Sequence, residues 1–175
     1  AQRYHAAGVA QGTEFRVNSF TTGAQQLSTV AMDADGDFVV TWSSNTQDGD
    51  LSGIYAQRYN AAGVAQGSEF RVNTHTTSIQ QNSTVAMDTD GDFVVTWSSY
   101  AQDGSGFGVY AQRYNAAGAA QGREFRVNTH TTNWQNLSTV AMDADGDFVV
   151  TWSSEFQDGS TFGIYAHRYN AGGGA

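Results

Sequence analysis

MDADGDFVVTWSS occupies Met32–Ser44 and returns unchanged at Met142–Ser154; at Met87–Ser99 it returns with Thr89 in the alanine position. Ahead of the aspartates Val30 and Met32 alternate with Ala31. After them Phe38, Val40 and Trp42 alternate with Val39 and Thr41. A period of two, rich in β-branched and aromatic side chains, reads as a strand on each side. Between the strands, Ala34-Asp35-Gly36 has the make-up of a three-residue hairpin loop that ends on a glycine of positive φ. The stretch is therefore a β-hairpin, with strands expected at Thr29–Asp33 and Asp37–Ser43.

Working outward, AQRY begins at Ala1, Ala56 and Ala111, and AHRY at Ala166, a period of 55 with no insertion or deletion. The chain divides into repeats 1–55, 56–110 and 111–165 and a partial repeat 166–175, read as one array, and 39 of the 55 positions are identical in all three units. Each unit adds two more strands, at Ile54–Asn60 and Glu69–Asn73 in the first, and no segment has a helical period. The class is all-β. The second and third strands carry apolar groups on both faces, so both faces of each sheet need neighbours. Repeated four-stranded antiparallel sheets of that kind are β-propeller blades. A β-trefoil or β-prism-like three-fold unit is the alternative, because three repeats of four strands also close. The unit length favours the propeller, in which about 50 residues per blade is common. The chain starts and stops on a third strand, which leaves sheet edges open. Self-association is the expected partnership, head-to-tail, as a ring or a filament.

Composition narrows the function classes. A net charge of −9, with eight basic residues that are all arginine, argues against nucleic acid as a partner. No apolar run approaches the ~20 residues of a membrane-spanning helix, so no membrane insertion is expected. Cysteine is absent, which removes disulfides, zinc–thiolate sites and thiol nucleophiles.

The recurrent aspartates raise two readings. Asp-Gly makes the turn, and the carboxylates can cap free backbone N–H groups. Alternatively, like charges opposed across a hairpin neck are destabilising, and a cation would neutralise them. Oxygen-only ligands suit Ca²⁺, so the candidate metal residues are Asp33, Asp35 and Asp37, Asp88, Asp90 and Asp92, and Asp143, Asp145 and Asp147. The spacing is not that of an EF-hand, whose glycine is sixth rather than fourth. Catalysis by these carboxylates is not expected. Acid–base pairs need environments that push two pKa values apart, and three near-identical copies offer none. The chain is expected not to be an enzyme.

Differences between the units have a direction. Of the 16 variable positions, six fall in Ser19–Leu27 and five in Asn45–Ser52 or their counterparts. In an up-and-down blade both segments emerge at one end, opposite the Asp hairpin. That rim gathers Phe20, His75, Tyr100, Phe107, His130, Trp134, Phe156 and Phe162, beside Gln47, Asp48, Gln102 and Asp103. Aromatic faces next to amides and carboxylates suit a sugar, so glycans are a candidate partner and the rim the candidate binding surface. Free drift of surface loops gives the same variability.

The run VAMDTDGDFVVTWSSYAQDGSGFGVYAQRYNAAG, Val85–Gly118, resembles the tandem repeats of very large secreted bacterial surface proteins, adhesin-like and often calcium-associated. The resemblance covers essentially the whole chain. It implies propeller-like repeats, an extracellular or cell-surface location, a non-enzymatic part in adhesion or matrix building, and Ca²⁺ at the Asp triplets. It supplies no catalytic residues.

Overall fold

The computed structural model describes residues Ala1–Ala175 and contains thirteen strands and no helix. In chain order these are β1 (Arg3–Tyr4), β2 (Ala10–Gln11), β3 (Gln25–Met32), β4 (Phe38–Asn45), β5 (Ser52–Tyr59) and β6 (Ala65–Arg71). There follow β7 (Gln80–Met87), β8 (Phe93–Tyr100), β9 (Phe107–Tyr114) and β10 (Ala120–Arg126), then β11 (Gln135–Met142), β12 (Phe148–Glu155) and β13 (Phe162–Tyr169). Every named pairing is antiparallel and between chain neighbours. The sheets are the β1–β2 hairpin, β3–β4–β5–β6, β7–β8–β9–β10 and β11–β12–β13.

The hairpin that opens each sheet is the one its sequence predicts. Asp33 N–H donates to Asp37 O at 2.9 Å, Gly36 N–H donates to Asp33 O at 3.3 Å, and Gly36 has φ +90°. The first strand, however, begins at Gln25 rather than Thr29. Its ladder slips between Gln26 and Thr29, and Leu27 there has φ +57°. Asn82 and Leu137 repeat this bulge with φ of +56° and +54°. A bulge interrupts the period of two, so the alternation becomes readable only beyond it.

The sheets stack face on face. Val39, Ile54, Ala56 and Val72 of the first meet Phe93, Val95, Trp97, Tyr110 and Tyr114 of the second. Val94, Val109, Ala111 and Val127 of the second meet Phe148, Val150, Trp152 and Tyr169 of the third. Each fully buried Val, Ile or Phe contributes about 1.5–3 kcal/mol. The middle sheet is thus covered on both faces, as the two-sided apolar pattern requires. A trefoil barrel or a prism leaves one face of each sheet to solvent, so neither alternative holds. The innermost strands β3, β7 and β11 border a common hollow lined by Leu27–Thr29, Asn82–Thr84 and Leu137–Thr139. Sheets radiating from their first strands form a propeller-type arrangement.

Polar contacts repeat at each junction. Thr41 Oγ1 lies 3.0 Å from Ser83 Oγ, and Thr96 Oγ1 lies 3.0 Å from Ser138 Oγ. Arg3, Arg58 and Arg113 each donate to a turn carbonyl one unit on, at Ala61, Ala116 and Ala171. No helix is long and apolar enough to cross a membrane.

Candidate functional site

At the variable rim the second and third sheets bring three aromatic side chains together. Tyr100 ends β8 and pairs across the ladder with Phe107, which opens β9. Trp134 immediately precedes β11. The Tyr100 and Phe107 rings are 5.2 Å apart at 72°, and those of Phe107 and Trp134 are 5.6 Å apart at 88°. These edge-to-face contacts match the quadrupoles of the rings. Phe107 is 8% exposed and forms the floor, whereas Tyr100 and Trp134 are 41% and 46% exposed.

The backbone around them fits only this arrangement. A Cβ on Gly106 would lie 2.4 Å from Trp134 Cδ1 and 2.5 Å from Asn133 O, so the loop comes this close because it has no side chain there. Asn133 N–H donates to Ser105 Oγ at 3.2 Å, tying the two segments together. The equivalent positions between the first and second sheets are Asn45, Ser52 and Ile79. The same backbone therefore carries an aromatic cluster at one junction and none at the other. Variation between the repeats is what makes the site.

Beside the cluster lies a polar group of which the sequence reading named only part. Gln102 Nε2 donates to Glu124 Oε1 at 2.6 Å, and Glu124 Oε2 accepts from Thr74 N–H at 2.6 Å and Thr74 Oγ1 at 3.0 Å. Asp103 Oδ2 is buried with no hydrogen-bond partner. Burial first, and then the negative charge of Asp103, push the Tyr110 phenol up to about 12. Arg126, which favours the ionised phenol, opposes this. The first unit repeats the group with Gln47, Asp48, Tyr55, Glu69 and Arg71. Glu69, Glu124 and the two tyrosines were not legible as rim residues. They lie on strands three and four, and only the folding of each sheet brings those strands to the loop between strands two and three.

The other expected rim residues do not join the cluster. Phe156 and Phe162 are exposed at the third sheet, where Glu155 stands in the Tyr100 position. Phe20, His75 and His130 are half-buried in the linkers, and their carbonyls accept from Asn18, Asn73 and Asn128 Nδ2, each at 2.7 Å.

At the opposite end the aspartates organise turns. Asp35 and Asp37 N–H donate to Asp33 Oδ1 at 3.0 and 2.9 Å, and Ala61 N–H donates to Asp37 Oδ1 at 2.8 Å. Asp88 accepts from Asp90 and Asp92, and Asp143 from Asp145 and Asp147, in the same way. Asp92 and Asp147 cap the turns at Ala116 and Ala171. No three His, Cys, Asp or Glu side chains converge as a metal cluster. The three copies nevertheless differ in surroundings. Asp88 is buried and its carboxyl is pushed up by that burial, whereas Asp33 is half-buried and Asp143 exposed.

No family model and no curated protein match the sequence. Solved structures match the fold. An endo-arabinase from Bacteroides thetaiotaomicron has a TM-score of 0.54 at 14% identity, over 92% of this chain and 61% of its own. An α-L-arabinofuranosidase from Lactobacillus brevis has a TM-score of 0.55 at 10% identity, over 96% and 59%. An endo-1,4-β-xylanase from Bacteroides thetaiotaomicron has a TM-score of 0.50 at 8% identity, over 92% and 58%. The chain thus spans about three-fifths of these proteins' length, and at such identities the likeness is one of fold.

The likeness corrects the expectation that the chain is not an enzyme. Its fold is one on which glycoside hydrolases are built. The ground for that expectation also fails, because sheet neighbours give identical sequence copies unlike environments, as the aspartates show.

Proposed function

We propose that the chain is a carbohydrate-binding propeller module that takes a sugar at the junction of its second and third sheets. The observation that carries this reading is the half-exposed Tyr100 and Trp134 pair, braced by buried Phe107 and present at one junction alone. A sugar presents an apolar ring face edged by hydroxyls. Trp134 and Tyr100 offer aromatic surface to the first, and the Ser105 hydroxyl, which accepts from Asn133 N–H and keeps its own proton to donate, offers a hydrogen-bonding group to the second. The ligand class is supported by the names of two structural neighbours, an endo-arabinase and an endo-1,4-β-xylanase. An extracellular or cell-surface location and a part in adhesion go with this reading, since glycans are displayed there.

The experiment is a glycan array that includes arabino- and xylo-oligosaccharides, followed by titration of the best ligand. Trp134→Ala should weaken binding at least tenfold, about 1.4 kcal/mol, with the melting temperature within a few degrees of wild type. Absence of any bound glycan sinks the proposal, and so does a Trp134→Ala protein that binds like wild type.

A further inference from the structure

The rim carries one more exposed aromatic ring, outside the cluster of touching rings but next to it. Glu155 N–H donates to Trp134 O at 2.8 Å, so Phe156, the following residue, sits beside Trp134 at the top of the third sheet. In the first unit Thr46 holds the same place, and its Oγ1 is 3.4 Å from where a Cβ on Gly23 would lie. Gly23 is the counterpart of Asn133. The position therefore faces the residues that lead into the inner strand, which in the third unit are Asn133 and Trp134.

Packing does not account for a phenylalanine here, because Phe156 is 53% exposed. Thr46 and Ala101 are exposed too, although a following sheet covers their sheets, so the exposure belongs to the rim itself. Phe162 differs in this respect, since its counterpart Phe107 is buried against Trp134. The backbone at Phe156 has φ +57°, as Thr46 and Ala101 have +66° and +59°. That left-handed region suits a bulky side chain least. The conformation is nevertheless fixed: Phe156 N–H donates to Thr161 O at 2.9 Å, and Gly159 N–H donates to Phe156 O at 3.2 Å. A large apolar ring is thus held in a strained backbone with half its surface in water. Strain of this kind that the fold does not use marks a ligand contact.

We propose that Tyr100, Trp134 and Phe156 form a row that binds a linear glycan through consecutive sugar rings, with Phe156 taking the ring next to the one on Trp134. The inference rests on the sugar-binding reading of this junction and names its ligand class, a run of rings within a chain and not a single terminal sugar. The three aromatics come from the end of β8, the approach to β11 and the β12–β13 loop, and they follow one another along the rim. One sugar ring covers one aromatic face, so exposed faces in sequence match rings in sequence. With Thr46 and Ala101 in place of Phe156, the first two units offer no such row.

The test is calorimetric titration with linear arabino-, xylo-, cello- and chito-oligosaccharides, from the disaccharide to the hexasaccharide of each. In the series that binds, wild-type affinity should climb about tenfold or more with length. Phe156→Ala should flatten that climb, losing about tenfold on the hexasaccharide and less on the disaccharide. Phe156→Tyr retains an aromatic face and should retain the climb, whereas Trp134→Ala should weaken every length. Both Phe156 variants should melt like wild type, because the ring is exposed. Affinity independent of length overturns the inference, and so does a Phe156→Ala protein that keeps the full climb. In either case, binding that still requires Trp134 leaves the sugar site standing. Failure of all four series to bind also overturns the inference, and the glycan array then decides whether the sugar reading falls with it.

Discussion

Tyr110 shows how burial at a junction sets a side chain's chemistry. Its phenol is pushed up to about 12 by burial and by Asp103, and burial also raises Tyr55, Tyr59, Tyr114 and Tyr169. An unfolded tyrosine loses its proton near pH 10. Above that pH the unfolded state binds fewer protons than the folded one, so stability is whole below pH 10 and falls as pH rises. Urea melts from pH 8 to 11.5 should show a steep loss beginning near pH 10, up to about 1.4 kcal/mol per pH unit for each such tyrosine. Tyr110→Phe should make the slope shallower between pH 10 and about 12. Asp88 poses a separate question. Its Oδ1 accepts two backbone N–H groups from a buried position. Asp88→Ala should cost about 1–3 kcal/mol, the cost of stranding buried donors. Asp88→Asn retains an acceptor and removes a buried charge, so it should melt at or above wild type. Calcium at the triplets, a proposal in its own right, makes the opposite forecast for Asn and adds about 2.7 kcal/mol at a hundredfold excess over Kd. Melts in calcium and in chelator separate the two.

At the scale of the element, each inner strand carries strain at its bulge. Leu27, Asn82 and Leu137 all sit in the left-handed region at the bulge, and the two leucines are exposed. That conformation costs a non-glycine residue about 1–2 kcal/mol. Leu137→Gly should therefore raise the melting free energy by about 1 kcal/mol despite the entropy that glycine loses. An unchanged or lower value would show that Leu137 contributes packing along the axis. The same bulge explains what could be read beforehand. The Asp-Gly hairpin, the second and third strands and the two-faced pattern depend on local chemistry and strict alternation, and they were legible. The start of β3 was not, because the bulge shifts the faces in mid-strand. Trp134 and Tyr100 could be named as rim aromatics from variation alone. Their contact could not, since it spans two units and depends on the missing side chain of Gly106. The polar group around Tyr110 was missed because Glu124 and Arg126 reach it from a different strand.

For the whole molecule, stability is carried by repeated contacts between neighbouring sheets, as in other repeat proteins. One residue type at one repeat position tests this within the chain. Ile54 is fully buried between sheets and Ile164 is exposed at the end. Ile54→Ala should cost about 2–5 kcal/mol, whereas Ile164→Ala should leave the melt unchanged. Equal effects would refute the face-to-face stacking. The proposed sugar site lies at the junction where the units differ, and the four tryptophans provide its reporter. Trp42, Trp97 and Trp152 are buried in the sheets, and Trp134 is half-exposed at the rim. The most direct test is to follow tryptophan emission while titrating an arabino- or xylo-oligosaccharide selected from the array. Saturable binding should shift the emission of the wild type to the blue and leave that of Trp134→Phe unmoved. Saturable binding with no change in wild-type emission, or with the same change in Trp134→Phe, would contradict a sugar site at this junction.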